Sequence, residues 1–341
     1  MTTLIAPEDE RLSWHGVVSL ERGDGWVRPW RLPADKPRLF PSELLQRAAM
    51  PSGARLAFRT TSTSVVGHIE PSPGMSRIDL CCDGEYLASA PLDGQEKFRF
   101  SGLPRREKLL ELWLPMFGHF RLKALEIDDG ATLAPYEDDR PRWTTYGSSI
   151  TQCSGAASPI RTWPAITARG AGLNLTSLGF GGQCHLDPMV ARVIRDLPAD
   201  FISLCLGINI YGAASLSPRT FRPAIIGYVQ TIRDRHPTAP IVLMSPIFSP
   251  PREDAPNAVG FTLKAMREEV AAAVEDLRAC GDDNIHYVNG LDILGPEHAH
   301  LLPDELHPNA EGYELMGKNF LEKVARRFFT PQTQPATGDH P

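Results

Sequence analysis

The chain has 341 residues, 42% hydrophobic and 22% charged, with a net charge of −6, which fits roughly two globular domains at about 150 residues each. An acidic balance lacks the basic footprint for nucleic acid or an anionic membrane surface, and no apolar run reaches the ~18 residues of a spanning helix. Residues Met1 to Arg11 lack a cationic start followed by an apolar stretch, and the cysteines (Cys81, Cys82, Cys153, Cys184, Cys205, Cys280) form no C-x-x-C pair. The expectation is a cytoplasmic protein with reduced thiols.

In chain order, the first predicted element is a short helix over Pro41–Met50, capped by Ser42. From Arg55 to Asp128 short β-type runs follow: Arg55–Thr60, Ser64–Ile69, Arg77–Cys82, Tyr86–Ala90, Lys97–Phe100, Lys108–Leu114 and Phe120–Ile127. Turn signals such as Asp83-Gly84, Asp93-Gly94 and Ser101-Gly102 separate them, the mark of an antiparallel sandwich or barrel. Pro135 to Pro141 is polar and bracketed by prolines, and reads as an inter-domain linker.

Beyond it, strands alternate with helices. Strands are predicted at Arg142–Tyr146, Leu173–Leu178, Phe201–Leu206, Ile241–Ser245 and Ile285–Val288. Helices are predicted at Thr162–Gly170, Pro188–Asp196, Pro218–Arg235, Thr262–Cys280 and Asn309–Phe329. Such alternation implies a parallel sheet covered on both faces, with functional groups in the loops at the carboxyl ends of the strands. The organisation predicted is a β-sandwich over residues 1–138, an α/β domain over 139–330 and a disordered tail over 331–341.

The candidate chemistry sits at those strand ends. A serine in the turn Tyr146-Gly147-Ser148-Ser149-Ile150-Thr151 can project its hydroxyl into a crevice, but serine needs a base held by a carboxylate. Asp304-Glu305-Leu306-His307 supplies one: Asp304 can hold one imidazole nitrogen while the other faces the serine. Gly182, by its backbone N–H, and Asn209, by its side chain, can stabilise an oxyanion, each donor worth ~3 kcal/mol. Walker, H-E-x-x-H, S-x-x-K and G-x-S-x-G signatures are absent, and Gly179 to Cys184 lacks the third glycine of a dinucleotide loop.

Here the sequence resembles the SGNH hydrolases, the GDSL esterase/lipase superfamily. Gly147-Ser148-Ser149-Ile150-Thr151, Gly179-Phe180-Gly181-Gly182, Gly207-Ile208-Asn209 and Asp304-x-x-His307 match its four blocks in order, over about Arg142 to Phe329. The resemblance implies a flavodoxin-like three-layer α/β/α domain behind a jelly-roll-like sandwich. It also implies the triad Ser149, Asp304 and His307, and an oxyanion hole of the Ser149 and Gly182 N–H groups with the Asn209 side chain. No cofactor and no metal are implied. Ser148 replaces the acidic residue of the first block, and Ile210 the aspartate that often follows the asparagine. The two-domain branch with this first block is similar both to carbohydrate esterases and to a salicylyl-type acyltransferase. The expected partner is therefore a small-molecule or carbohydrate ester, and the reaction hydrolysis through an acyl-enzyme or transfer of an acyl group to a hydroxyl.

Each residue also has a structural reading. Ser149 can cap a helix, Asn209 can shape a turn, the glycines can permit positive φ, and Asp304 with His307 can cap the last helix. His298, His300, Asp304 and His307 offer only a loose metal-ligand spacing. His185 and Asp187 can face substrate or simply solvate a loop; Cys153 and Cys184 read as packing residues. Trp14, Trp26, Trp30 and Trp113 can form the sandwich core or a sugar platform. A sandwich that binds carbohydrate beside a degenerate site is the non-enzymatic alternative.

Overall fold

The computed structural model describes residues 1–329, so the tail predicted at 331–341 lies outside the described residues. Twelve strands build the amino-terminal half: β1 (Thr2–Ile5), β2 (Ser13–His15), β3 (Ser19–Gly23), β4 (Trp26–Trp30), β5 (Arg55–Thr60), β6 (Ser64–Ile69), β7 (Ile78–Cys82), β8 (Glu85–Ala90), β9 (Lys97–Ser101), β10 (Lys108–Trp113), β11 (Leu122–Asp128) and β12 (Leu133–Ala134). They form two antiparallel sheets, ordered β3-β4-β11-β6-β9 with β1 beside β11, and β12-β5-β10-β7-β8 with β2 beside β5. Alternate side chains such as Leu56, Phe58, Leu80, Leu110, Leu112 and Phe120 fill the space between, the period-two pattern of a half-buried strand.

The amino-terminal hairpin of β3 and β4 was not expected from the sequence. Its second strand reads Trp-Val-Arg-Pro-Trp, and Pro29 and Arg28 hide the alternation that marks a strand. Arg28 is buried with its guanidinium over the Trp30 ring, 4.7 Å from the centroid. Helix α1 (Ser42–Ala48) forms where predicted, but Pro41 rather than Ser42 is its cap residue. The Ser42 hydroxyl donates to Glu43 instead of accepting a helix N–H.

Five parallel strands follow: β13 (Arg142–Gly147), β14 (Asn174–Gly179), β15 (Phe201–Cys205), β16 (Ile241–Met244) and β17 (Ile285–Val288), in the order β14-β13-β15-β16-β17. This is the doubly wound, flavodoxin-like order, and it reverses direction at β13, so a crevice opens between the carboxyl ends of β13 and β15. Helices α2 (Ser149–Gln152), α3 (Trp163–Ala171), α4 (Pro188–Asp196), α5 (Ile208–Ala213), α6 (Pro218–Arg233), α7 (Leu263–Ala279), α8 (Gly290–Ile293) and α9 (Ala310–Phe320) connect and cover them. Ile241 and Leu243 face the layer of α4, α6 and α7, whereas Val242 and Met244 face α3 and α9. Both sheet faces are thus buried, which is why the central strand β16, Ile-Val-Leu-Met, reads as a continuous apolar run.

The two halves share their cores. Leu32, Phe40, Leu44 and Ala48 join the α4–α6–α7 layer, and Cys81 and Trp113 join the α3–α9 layer. The segment read as a linker is pinned rather than loose. Asp138 is paired with Arg140 at 2.6 Å and with the fully buried Arg55 at 3.5 Å, and Arg55 also donates to Asn174 Oδ1 at 2.6 Å.

Candidate active site

The turn after β13 places Ser148 as cap residue of α2, its hydroxyl accepting from the Ile150 N–H at 3.2 Å. The capping role read for Ser149 therefore falls to its neighbour. Gly147 is required here because a Cβ would stand 2.1 Å from Thr151 Oγ1. Ser149, the first residue of α2, is left with its hydroxyl facing His307.

The Ser149 hydroxyl donates to His307 Nε2 at 2.8 Å, and His307 Nδ1–H donates to Asp304 Oδ2 at 2.7 Å. A carboxylate can only accept, so its contact fixes the ring proton on Nδ1 and leaves Nε2 free to take the serine proton. The second carboxylate oxygen, Oδ1, accepts the backbone N–H groups of His307 at 2.6 Å and Leu306 at 3.1 Å. Burial alone would raise the Asp304 pKa. The His307 ring and these two N–H groups outweigh it and hold the carboxyl at about 2.

Glu305, between them, has a φ of +60°. Its carbonyl accepts from Ser249 Oγ at 2.7 Å and Arg252 Nη1 at 3.2 Å, so the loop after β16 clamps this strained turn.

The proposed oxyanion donors lie on the loop after β14 and on the first turn of α5. Gly182 has a φ of +74° and open space where a Cβ would be, and its carbonyl accepts from His185 Nε2–H at 3.0 Å while the Ser215 hydroxyl donates to Nδ1 at 2.8 Å. His185 thus braces the glycine loop. Burial, the largest influence, raises the Asp187 pKa. Asn209 sits on the first turn of α5, after Gly207 with a φ of +119°. Its Oδ1 accepts the Cys184 N–H at 3.0 Å, which turns the amide so that Nδ2 keeps no acceptor among the described residues. Cys153 and Cys184 are buried packing residues. Burial pushes both thiols well up, away from reactivity.

Sequence reasoning missed the residues that hold the glycine loop from behind. Gln152 is fully buried, accepts the Gly181 N–H at 2.8 Å, and donates to the Met116 carbonyl at 3.2 Å in the sandwich half. Its own carbonyl accepts from Ser52 Oγ at 3.1 Å. Arg31, also fully buried, donates to the carbonyls of Met50 at 2.6 Å and Ser177 at 3.2 Å. It further reaches those of Gly179 and Arg47. The only local signal for Gln152 is its place one turn after Ser149.

Trp113 is buried in the core, whereas Trp14, Trp26 and Trp30 are half-buried. Asp304 and His307 are committed to one another, and no His, Cys, Asp or Glu group among the described residues is arranged to hold a metal ion. No helix among the described residues is long and apolar enough to cross a membrane.

A doubly wound domain with a serine, histidine and carboxylate at its switch point, behind a β-sandwich, defines an ester-acting enzyme of the SGNH type. Residues 145–315 match the GDSL-like Lipase/Acylhydrolase family, and residues 12–123 match the SsfX3 N-terminal domain family. The chain belongs to the GDSL-like lipase/acylhydrolase family. It is similar to the salicylyl-acyltransferase SsfX3 from a tetracycline biosynthetic pathway, with 39% identity over 97% of this chain and 98% of that one, at a TM-score of 0.89. A GDSL-like lipase candidate from Bacteroides ovatus shares 22% identity over 96% and 98% of the two chains, TM-score 0.78. A family two carbohydrate esterase from Cellvibrio japonicus shares 16% identity over 96% and 98%, TM-score 0.65, a likeness of fold. No curated protein matches the chain.

Proposed function

We propose that the chain cleaves small carboxylic esters through an acyl-enzyme on Ser149. His307 Nε2 takes the serine proton as Oγ attacks the ester carbonyl, and Asp304 stabilises the imidazolium that forms. The N–H groups of Ser149 and Gly182 and the Asn209 amide receive the developing oxyanion. His307 protonates the leaving alkoxide, then draws a proton from water as its oxygen attacks the acyl carbon, releasing the acid and restoring the serine.

The observation that carries this reading is the unbroken row Ser149 Oγ, His307 Nε2, His307 Nδ1, Asp304 Oδ2, with contacts of 2.8 and 2.7 Å. Turnover of 4-nitrophenyl acetate by the wild type and by Ser149→Ala tests it. Loss of activity in the variant is expected, and equal rates overturn the assignment.

A second reading shares the acyl-enzyme but gives the acyl group to an alcohol in place of water. The 39% identity to a salicylyl-acyltransferase over nearly the whole chain favours it. Supplying an acyl thioester with candidate alcohols, and comparing ester formed with acid released, separates the two.

A further inference from the structure

Two guanidinium groups stand beside the glycine loop with no carboxylate to balance them. Elsewhere the protein pairs its inward arginines: Arg55 with Asp138, Arg233 with Asp282 and Arg267 with Glu253. Arg31 has only carbonyl hydrogen-bond partners, those of Met50, Ser177, Gly179 and Arg47, and lies over the Phe180 ring, 4.9 Å from its centroid, so no anion faces it. Arg47, on the last turn of α1, is half-buried, and its guanidinium has neither an ion-pair nor a hydrogen-bond partner among the described residues. Burial pushes the Arg31 guanidinium down to about 9, with repulsion from Arg47 adding to the effect. The region therefore carries unmatched positive charge in a chain whose net charge is −6.

That charge lies next to the reacting serine. Arg47 Nε stands 3.6 Å from the point a Cβ on Gly181 would occupy, and Ser149 Cβ stands 3.6 Å from the same point. The two atoms are thus at most about 7 Å apart, and the gap between them is kept open by a glycine. A guanidinium is built to take a carboxylate through two parallel N–H bonds.

We propose that Arg47, supplied by the sandwich half, binds a carboxylate on the substrate, so that the preferred esters are anionic, with their charge roughly two to four bonds from the scissile carbonyl. The inference rests on Ser149 being the nucleophile. The carboxylate can belong to the acyl half or to the leaving group, and the separation fits either.

Two matched pairs of esters separate these sources. The mono-4-nitrophenyl ester of glutaric acid against 4-nitrophenyl valerate places the charge in the acyl half; 2-acetoxybenzoate against its methyl ester places it in the leaving group, each carboxylate four bonds from the scissile carbonyl. In Arg47→Met the charged-to-neutral ratio of kcat/KM is expected to fall about tenfold or more in one pair, the size of a lost charge-assisted hydrogen bond. Arg47→Lys restores part of it. In the wild type, raising the ionic strength from about 0.02 to about 0.5 M lowers the same ratio by screening.

A ratio unchanged within twofold in both pairs overturns the proposal, while turnover of the neutral esters leaves the reading of Ser149 standing. If no ester is turned over, that reading fails by itself. Calorimetric titration of glutarate into the folded Ser149→Ala protein then decides the anion site: a Kd weakened about tenfold by adding Arg47→Met supports it, and equal or absent binding in both overturns it.

Discussion

Gln152→Leu tests whether the sandwich half holds the oxyanion loop in place. Leucine nearly preserves the side-chain volume but can neither accept the Gly181 N–H nor donate to the Met116 carbonyl, bonds of 2.8 and 3.2 Å in a fully buried setting. Each of the two orphaned groups costs about 1–3 kcal/mol, so the folded state should lose about 2–6 kcal/mol, which a domain in the middle of the ordinary range of about 5–15 kcal/mol survives. The neighbouring Gly182 N–H is the proposed oxyanion donor, and complete loss of one such donor costs about 10²-fold in kcat. A loosened loop should therefore lower kcat about tenfold or more. KM should stay nearly constant, because the charge that the N–H meets develops only in the transition state. The assays are 4-nitrophenyl acetate kinetics and urea unfolding of the same preparation. Gln152→Glu keeps the acceptor for Gly181 and loses only the donor, so its kcat should exceed that of the leucine variant without recovery of stability. A leucine variant with wild-type kcat and an unchanged urea midpoint would refute the bridge.

The remaining predictions concern the groups around it. Asp304→Asn should lower kcat about 10²- to 10⁴-fold at pH 7–8, since the ring loses the carboxylate that orients it. The Asp304 carboxyl is held at about 2, below its ordinary 3.8, so its stabilising contribution is present above about pH 4 and is lost as pH falls through about 2. That contribution is small because the side chain is half exposed, and urea midpoints of wild type and Asp304→Asn should converge between pH 5 and pH 2. Arg31→Met removes a buried cation and leaves its carbonyl partners without their donor; a loss of about 3–5 kcal/mol is expected by urea unfolding. Gly207→Ala forces a residue at φ +119° and a Cβ 2.7 Å from Pro246 Cγ, which should cost more than about 1 kcal/mol and lower kcat by displacing Asn209.

What the sequence disclosed and what it hid divide along a physical line. Elements whose neighbours in the chain share one environment were legible. The helix Pro188–Asp196 has the bounds expected because the stripe of Val190, Val193 and Ile194 reports burial directly, and the strand Ile285–Val288 because Gly281 to Asn284 and Asn289-Gly290 bracket it with turn residues. The helix expected over Asn309–Phe329 runs from Ala310 to Phe320, then widens into a π-turn over Leu321–Ala325 and ends at Phe328. A local 3.6-residue period cannot announce that change of winding. Helices α2, α5 and α8, of four to six residues, are too short to show any period. The candidate site was legible because Ser149, Gly182, Asn209, Asp304 and His307 each lie in a short block with its own turn chemistry.

Arg31, Gln152 and Arg47 were not legible for the opposite reason. A pattern reading assigns arginine and glutamine to the surface, where they usually lie, and only the folded chain reveals that partners from distant segments satisfy Arg31 and Gln152, while Arg47 stands beside the glycine loop with none among the described residues. Arg31 reaches Ser177 and Gly179 across 146 and 148 residues, and Ser52 reaches the Gln152 carbonyl across 100. These bonds run from the sandwich half to β14 and α2, and Gln152 on α2 in turn holds the N–H of Gly181, next to Gly182. The position of the proposed oxyanion donor therefore depends on contacts that neither half makes alone. An α/β domain expressed without residues 1–138 should on this ground lose more than binding area. It would expose the backs of Gly179 and Gly181 and leave Gln152 without its Met116 partner, so the four blocks could all be present and the glycine loop still be out of place.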